Sequence, residues 1–208
     1  MRPRLEAYGP MHGMICKALE GFLVANHGPE VWDRVRREAG LPFTRFEPMR
    51  AYEPEMMVRL MESACRIVDR RTLPLLEDIG HWICTNPELD PVRRLFRFAG
   101  ASYEDFILSL DDVHDRARMA LPDLIVPRMR LVEHGNGRFD VTTYWPQPGA
   151  SAVLTGVLRA MADDYGALAM IEMSGHRHAG DHWEETVSLQ LVERDFSEPR
   201  DFHFGGAA

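Results

Sequence analysis

His114 is the residue whose type and placement most invite chemistry, sitting in the run Phe106-Ile-Leu-Ser-Leu-Asp-Asp-Val-His-Asp-Arg-Ala-Arg-Met-Ala-Leu121. An imidazole among aliphatic side chains costs free energy unless its ring nitrogens find a hydrogen-bond partner or a metal. Two readings follow: a metal ligand beside a cavity, or a core histidine satisfied by a backbone carbonyl. A second cluster, His176-x-His178-x3-His182, has donors close enough for zinc or copper. Two glycines and a place between two strand-like runs mark it as an exposed hairpin loop, in which imidazoles have no fixed geometry.

Other constellations are poorer. Cys16, Cys65 and Cys84 lie far apart with no Cys-x-x-Cys spacing, so neither a disulfide framework nor a thiolate metal site is expected. That cysteine usage fits a cytoplasmic location. The chain has no Gly-x-Ser-x-Gly, Walker or Gly-x-Gly-x-x-Gly sequence, and no nucleophile and base can be paired, so a non-enzyme is expected. Asp111-Asp112 reads as the cap and first turn of the helix carrying His114, where carboxylates meet the positive end of the dipole. Asp163-Asp164, at the wrong end of a later helix for that dipole, has no such reason.

The bulk numbers narrow the partners. The 208 residues carry a formal net charge of -8, which argues against nucleic acid and anionic membrane surfaces, since both are bound through a positive field. The tightest basic cluster, Arg34-x-Arg36-Arg37, reads as the solvated side of a helix. No apolar run approaches the ~20 residues that span a bilayer. With 45% hydrophobic and 27% charged residues the composition is that of one globular domain.

The elements that must position His114 change period midway. Apolar residues recur at helical spacing over His12–Asn26, Glu30–Glu38, Glu53–Val68, Thr72–Thr85, Leu89–Phe98, Ser102–Ser109 and Leu110–Ala120, with Pro122 as the stop. Beyond Pro127 the period becomes two. Arg128–His134, the turn Gly135-Asn-Gly137 and Arg138–Tyr144 form a hairpin. A helix over Ala150–Tyr165 and strands over Leu168–Ser174 and Trp183–Val192 follow. The expected class is α+β, a helical N-terminal half packed on a C-terminal antiparallel sheet with helices. Residues 1–10 are an extension, 11–194 the domain and 195–208 a tail.

The order Met11-His12-Gly13, a helical first half, Leu110-Asp-Asp-Val-His114, Pro127, the Gly135-Asn-Gly137 turn and then Tyr144 resembles the haem nitric-oxide/oxygen binding (H-NOX) family, related to the sensor domain of soluble guanylate cyclase. The resemblance covers most of residues 11–194. It implies a haem b pocket between the two halves, with His114 as the proximal iron ligand in the pattern Asp-x-(aliphatic)-His and Pro127 pressing on the porphyrin. It also implies that Tyr144 holds a propionate, as the first residue of a Tyr-x-Ser-x-Arg clamp whose Ser and Arg are here Pro146 and Pro148. By position, Ile15, Leu19, Ile83, Val153 and Val157 would line the distal side. In relatives that hold dioxygen a Tyr hydroxyl stands where this chain has Val153. The oily set therefore implies nitric oxide, with carbon monoxide second, and a stand-alone sensor acting on a separate histidine kinase or cyclic-di-GMP enzyme. The two prolines leave another reading open, a haem-free domain of the same fold that binds a partner or a small apolar ligand.

Overall fold

The computed structural model describes residues 11–120 and 126–200. The expected N-terminal extension, the Pro122 helix stop and the Gly205–Ala208 tail lie outside the described residues. The N-terminal half runs β1 (Met11–His12), α1 (Gly13–His27), α2 (Pro29–Glu38), β2 (Ala51–Tyr52), α3 (Pro54–Ile67) and α4 (Thr72–Thr85). The connecting helices are α5 (Asp90–Arg97), α6 (Tyr103–Leu108) and α7 (Val113–Ala120). Then come β3 (Arg128–Gly135), β4 (Arg138–Trp145), α8 (Ala150–Tyr165), β5 (Leu168–His178) and β6 (Trp183–Glu193). The last four strands make one antiparallel sheet in the order β3-β4-β6-β5.

Local chemistry sets the boundaries. The His12 ring caps α1 by accepting from the Met14 amide, and Gly28 at φ 87° ends α1 before Pro29 opens α2, a left-handed position that suits glycine. Ser102 and Asp105 form a reciprocal capping box on α6. Two apolar cores result. One joins α1, α2, α3 and α4 through Leu19, Leu23, Val35, Leu60 and Leu75. The other joins α6, α8 and the sheet through Phe106, Leu110, Phe139, Val141, Leu158 and Val187.

Helices α4 and α8 bring the halves together backbone to backbone. A Cβ on Gly80 would lie 2.1 Å from the Val153 carbonyl oxygen, and one on Gly156 would lie 2.0 Å from that of Glu77. Only glycine permits this approach.

Three expectations need correction. Asp164 is 2% exposed and paired, with Arg93 Nη2 at 2.7 Å and Arg97 Nε at 3.5 Å. Its place near the C-terminus of α8 is therefore explained by two cations from α5 rather than by the helix dipole. The stretch Leu110–Asp112 is a 3₁₀ turn, with α7 beginning at Val113. Strand β5 continues to His178, so His176 and His178 belong to a strand and only the residues from Ala179 to His182 turn. The pairing of β1 with β2 was not visible in the sequence because each is two residues long.

Candidate functional site

His114 is half-buried near the start of α7, and its Nδ1 lies 2.9 Å from the Val126 carbonyl oxygen. A carbonyl can only accept, so Nδ1 carries the proton and Nε2 presents its lone pair. Among the described residues Nε2 has no hydrogen-bond partner. Bonds on both sides of the histidine hold this segment, one to the sheet and one to the end of α6. Asp111 Oδ1 accepts from the Leu131 amide at 2.6 Å, and Arg116 Nη2 donates to the Ser109 carbonyl at 2.8 Å. Asp111 thus serves β3, not the helix end as expected.

Pro127 is half-buried one step before β3, on the side that carries Met129 and Leu131 into the sheet core. Strand alternation then decides the rest. Phe139, Val141 and Thr143 are buried on β4, and Glu185, Val187, Leu189 and Leu191 on β6, so odd positions face inward on both strands. Trp145 and Trp183 continue this inner face as a directly opposed pair. Tyr144 belongs to the outer face, paired with Arg128 and Glu184, its ring 5.9 Å from that of His182. Tyr144, expected as a clamp residue, therefore lies on the face away from Trp145 and Trp183, since successive residues of a strand point to opposite faces. Two residues past the inward Trp145, where the strand has ended, Gln147 buries its amide oxygen.

The inner end of the sheet also holds a buried carboxylate. Glu185, 4% exposed, accepts from the Gly149 amide at 2.9 and 3.0 Å and from the Ser151 amide at 3.1 Å, fixing the N-terminus of α8. Removing it strands two buried N–H groups at about 1–3 kcal/mol each. Glu185→Ala is accordingly expected to lower the unfolding free energy by roughly 2–6 kcal/mol in urea titrations. Nearby, Gln147 Oε1 and Trp183 Nε1 are buried with no hydrogen-bond partner among the described residues. His12 Nε2 is a third such atom, at the head of α1.

The five apolar candidates divide between the cores. Leu19 is buried in the helical core with Ile15 and Ile83 packed against it, whereas Val157 is buried in the sheet core. Val153 is half-buried at the α4–α8 contact. The structure therefore brings Val153 and Val157 onto one helix between the cores and leaves Tyr144 outside. Trp145, Gln147, Trp183 and Glu185 were missed by sequence reasoning. The signal was present in the alternation Trp183-x-Glu185-x-Val187-x-Leu189, which puts a carboxylate on an inward face.

Other groups do not assemble. Among the described residues no three His, Cys, Asp or Glu side chains are placed to hold a metal ion. Burial pushes the Cys16 and Cys84 thiols up to about 12, so both stay protonated. On the outer sheet face Asp140 accepts from Ser188 Oγ at 2.7 Å and contacts His134 Nε2 at 2.8 Å. The carboxylate sits between hydroxyl and imidazole, so the His cannot take the Ser proton as a triad requires. An open groove of about 410 Å³, with Phe22, Leu75 and Trp82 in its wall, lies on the helical half; His114 is not among its lining residues. No helix among the described residues is long and apolar enough to cross a membrane.

A family model described as haem-NO-binding matches residues 12–173. Among solved structures, a variant of the T. tengcongensis H-NOX domain superimposes with a TM-score of 0.75 at 12% identity, covering 88% of this chain and 99% of that one. An oxygen-binding H-NOX domain related to soluble guanylate cyclases, in its oxygen complex, gives 0.70 at 14% identity, covering 92% of this chain and 100% of that one. The α+β order of a helical half and a four-stranded antiparallel sheet is shared with both. With most of its length matched by the family model and its whole fold by these structures, the chain belongs to the haem-NO-binding family of H-NOX sensor domains.

Proposed function

We propose that this chain is a haem-based gas sensor that binds nitric oxide, and carbon monoxide second, through a non-covalently held haem b. The observation that carries the reading is the His114 Nδ1 contact with the Val126 carbonyl, which fixes the tautomer and turns Nε2 into a ligand. The chain contains no Cys-x-x-Cys-His, so covalent haem attachment is not expected. The donor set fits: one oriented imidazole, Pro127 and two inward indoles at the same sheet end, and unpartnered polar atoms beside them. Bound there, a ferrous haem would supply an iron able to take a diatomic gas, and His114 is the residue that would hold it.

The chain's own residues set selectivity and output. Ile15, Leu19, Ile83, Val153 and Val157 offer no N–H or O–H, so a ligand that accumulates negative charge finds no donor among them while a nearly nonpolar one needs none. His114 links α7 to Val126, two residues before β3, so a change in how His114 is held would be passed to both α7 and the sheet. The difference in gas affinity between the held and released states is the free energy open to a partner that reads α7, and a histidine kinase or cyclic-di-GMP enzyme is the effector proposed.

Gas-binding spectra of the reduced protein test this reading. Nitric oxide is expected to give a five-coordinate spectrum with the His114 bond broken, and air no stable oxygen complex. A long-lived oxygen spectrum would overturn the selectivity and direct attention to His12, whose Nε2 is buried without a partner. Pro146 and Pro148, together with the outward Tyr144, favour the haem-free reading as the second choice. Colourless protein from a haem-supplemented culture would establish it.

A further inference from the structure

A buried N–H or amide atom without a partner is rare in native proteins, and two lie at one end of the inner sheet face. Trp183 Nε1 is a donor only. Gln147 buries the oxygen end of its amide, and a half-turn of the amide exchanges that oxygen for two N–H donors. The backbone attaches both to one end of the sheet. Trp145 is paired directly with Trp183, and the segment returns to the sheet at Gly149, whose amide is held by Glu185 on the same strand as Trp183. Gln147 lies between these two anchorages.

The chemistry of the surroundings says what belongs there. Glu185 is turned to the backbone amides of Gly149 and Ser151, and neither Trp183 Nε1 nor Gln147 Oε1 is among its partners. The Trp145 and Trp183 side chains give the site an apolar body, and the His178 ring packs edge-on at 5.0 Å against that of Trp183. Two neutral donors beside large aromatic surfaces suit an acceptor carried on a flat apolar ligand. A carboxylate on a porphyrin edge has that character.

We propose that Gln147 and Trp183 are the propionate anchors of this chain, taking the role of the hydroxyl and guanidinium that Pro146 and Pro148 cannot supply. The assignment depends on the chain binding haem. Both anchors bury a polar side-chain atom, and Trp183 lies on the inner sheet face, whereas Tyr144 lies on the outer one.

The test compares haem with its dimethyl ester, in which the propionate charge is removed, by measuring loss of each to apomyoglobin. The native chain is expected to lose the ester about tenfold faster than haem, the size of one to two hydrogen bonds to a charged acceptor. Gln147→Leu and Trp183→Phe should each shrink that ratio, and the double variant should bring it near one, with ester loss itself little changed. Gln147→Glu, which preserves shape and adds a like charge, should speed haem loss but not ester loss and so covers the case in which an apolar variant folds poorly. Tyr144→Phe should leave the ratio at its native value. Equal ratios in native and variant proteins, or a native ratio of one, would overturn the anchor assignment alone. A native chain that takes up neither porphyrin overturns the haem reading, and the anchors with it.

Discussion

His114→Ala protein is expected to fold normally and to retain almost no haem. The side chain is only half-buried and contributes one neutral hydrogen bond to a backbone carbonyl, so its loss costs about 0.5–1.5 kcal/mol of stability. The effect on cofactor is expected to be far larger, because in the proposed function His114 is the residue that would hold the iron. Removing merely a hydrogen-bonded neighbour of a metal ligand typically costs 10–100-fold in affinity, so losing the ligand should cost more than about 100-fold. Imidazole added to the solution fills the space left by the ring and should restore binding. Circular dichroism would report the intact fold, and the Soret band the loss and recovery. An unchanged ferrous spectrum in the variant would remove His114 from the site.

Asp164→Ala is expected to be strongly destabilising, by roughly 3–5 kcal/mol, or a fall in Tm of about 6–20 °C for a domain of this size. Asp164 is 2% exposed and meets two guanidinium groups; without it Arg93 and Arg97 face each other at the buried end of α8 with their shared counter-charge gone. The adjacent Asp163 is exposed, and Asp163→Ala should change stability by no more than about 0.5 kcal/mol. Thermal melts of the two variants give the contrast. Equal melts would mean that α5 is not pinned to α8 through this carboxylate. The functional link is positional: α8 carries Val153 and Val157, with Glu185 fixing its first turn and Asp164 its last.

Periodicity carried most of the fold. Helices over Thr72–Thr85 and Ala150–Tyr165 begin and end where apolar spacing and flanking turn residues place them. The hairpin about Gly135-Asn-Gly137 follows from its turn chemistry, with Asn136 at φ 52°. What sequence could not supply was register across the sheet. Tyr144 matches the clamp tyrosine by letter and distance, but the core-facing residues Phe139, Val141 and Thr143 fix the odd positions inward and turn Tyr144 out. Long-range charge pairing was equally hidden: nothing local to Asp164 announces Arg93, which reaches it from another helix. The tautomer of His114 depends on the Val126 carbonyl across a connection, again a contact that spacing alone does not reveal.

The central claim is that His114 holds iron through Nε2 in a one-to-one haem complex. Anaerobic titration of the purified chain with ferrous haem, followed at the Soret band, tests it most directly. The account predicts saturation at one haem per chain with the spectrum of a five-coordinate, histidine-ligated ferrous haem, absent from His114→Ala until imidazole is added. A titration that yields only the spectrum of free haem, or a native spectrum that His114→Ala reproduces, would contradict it.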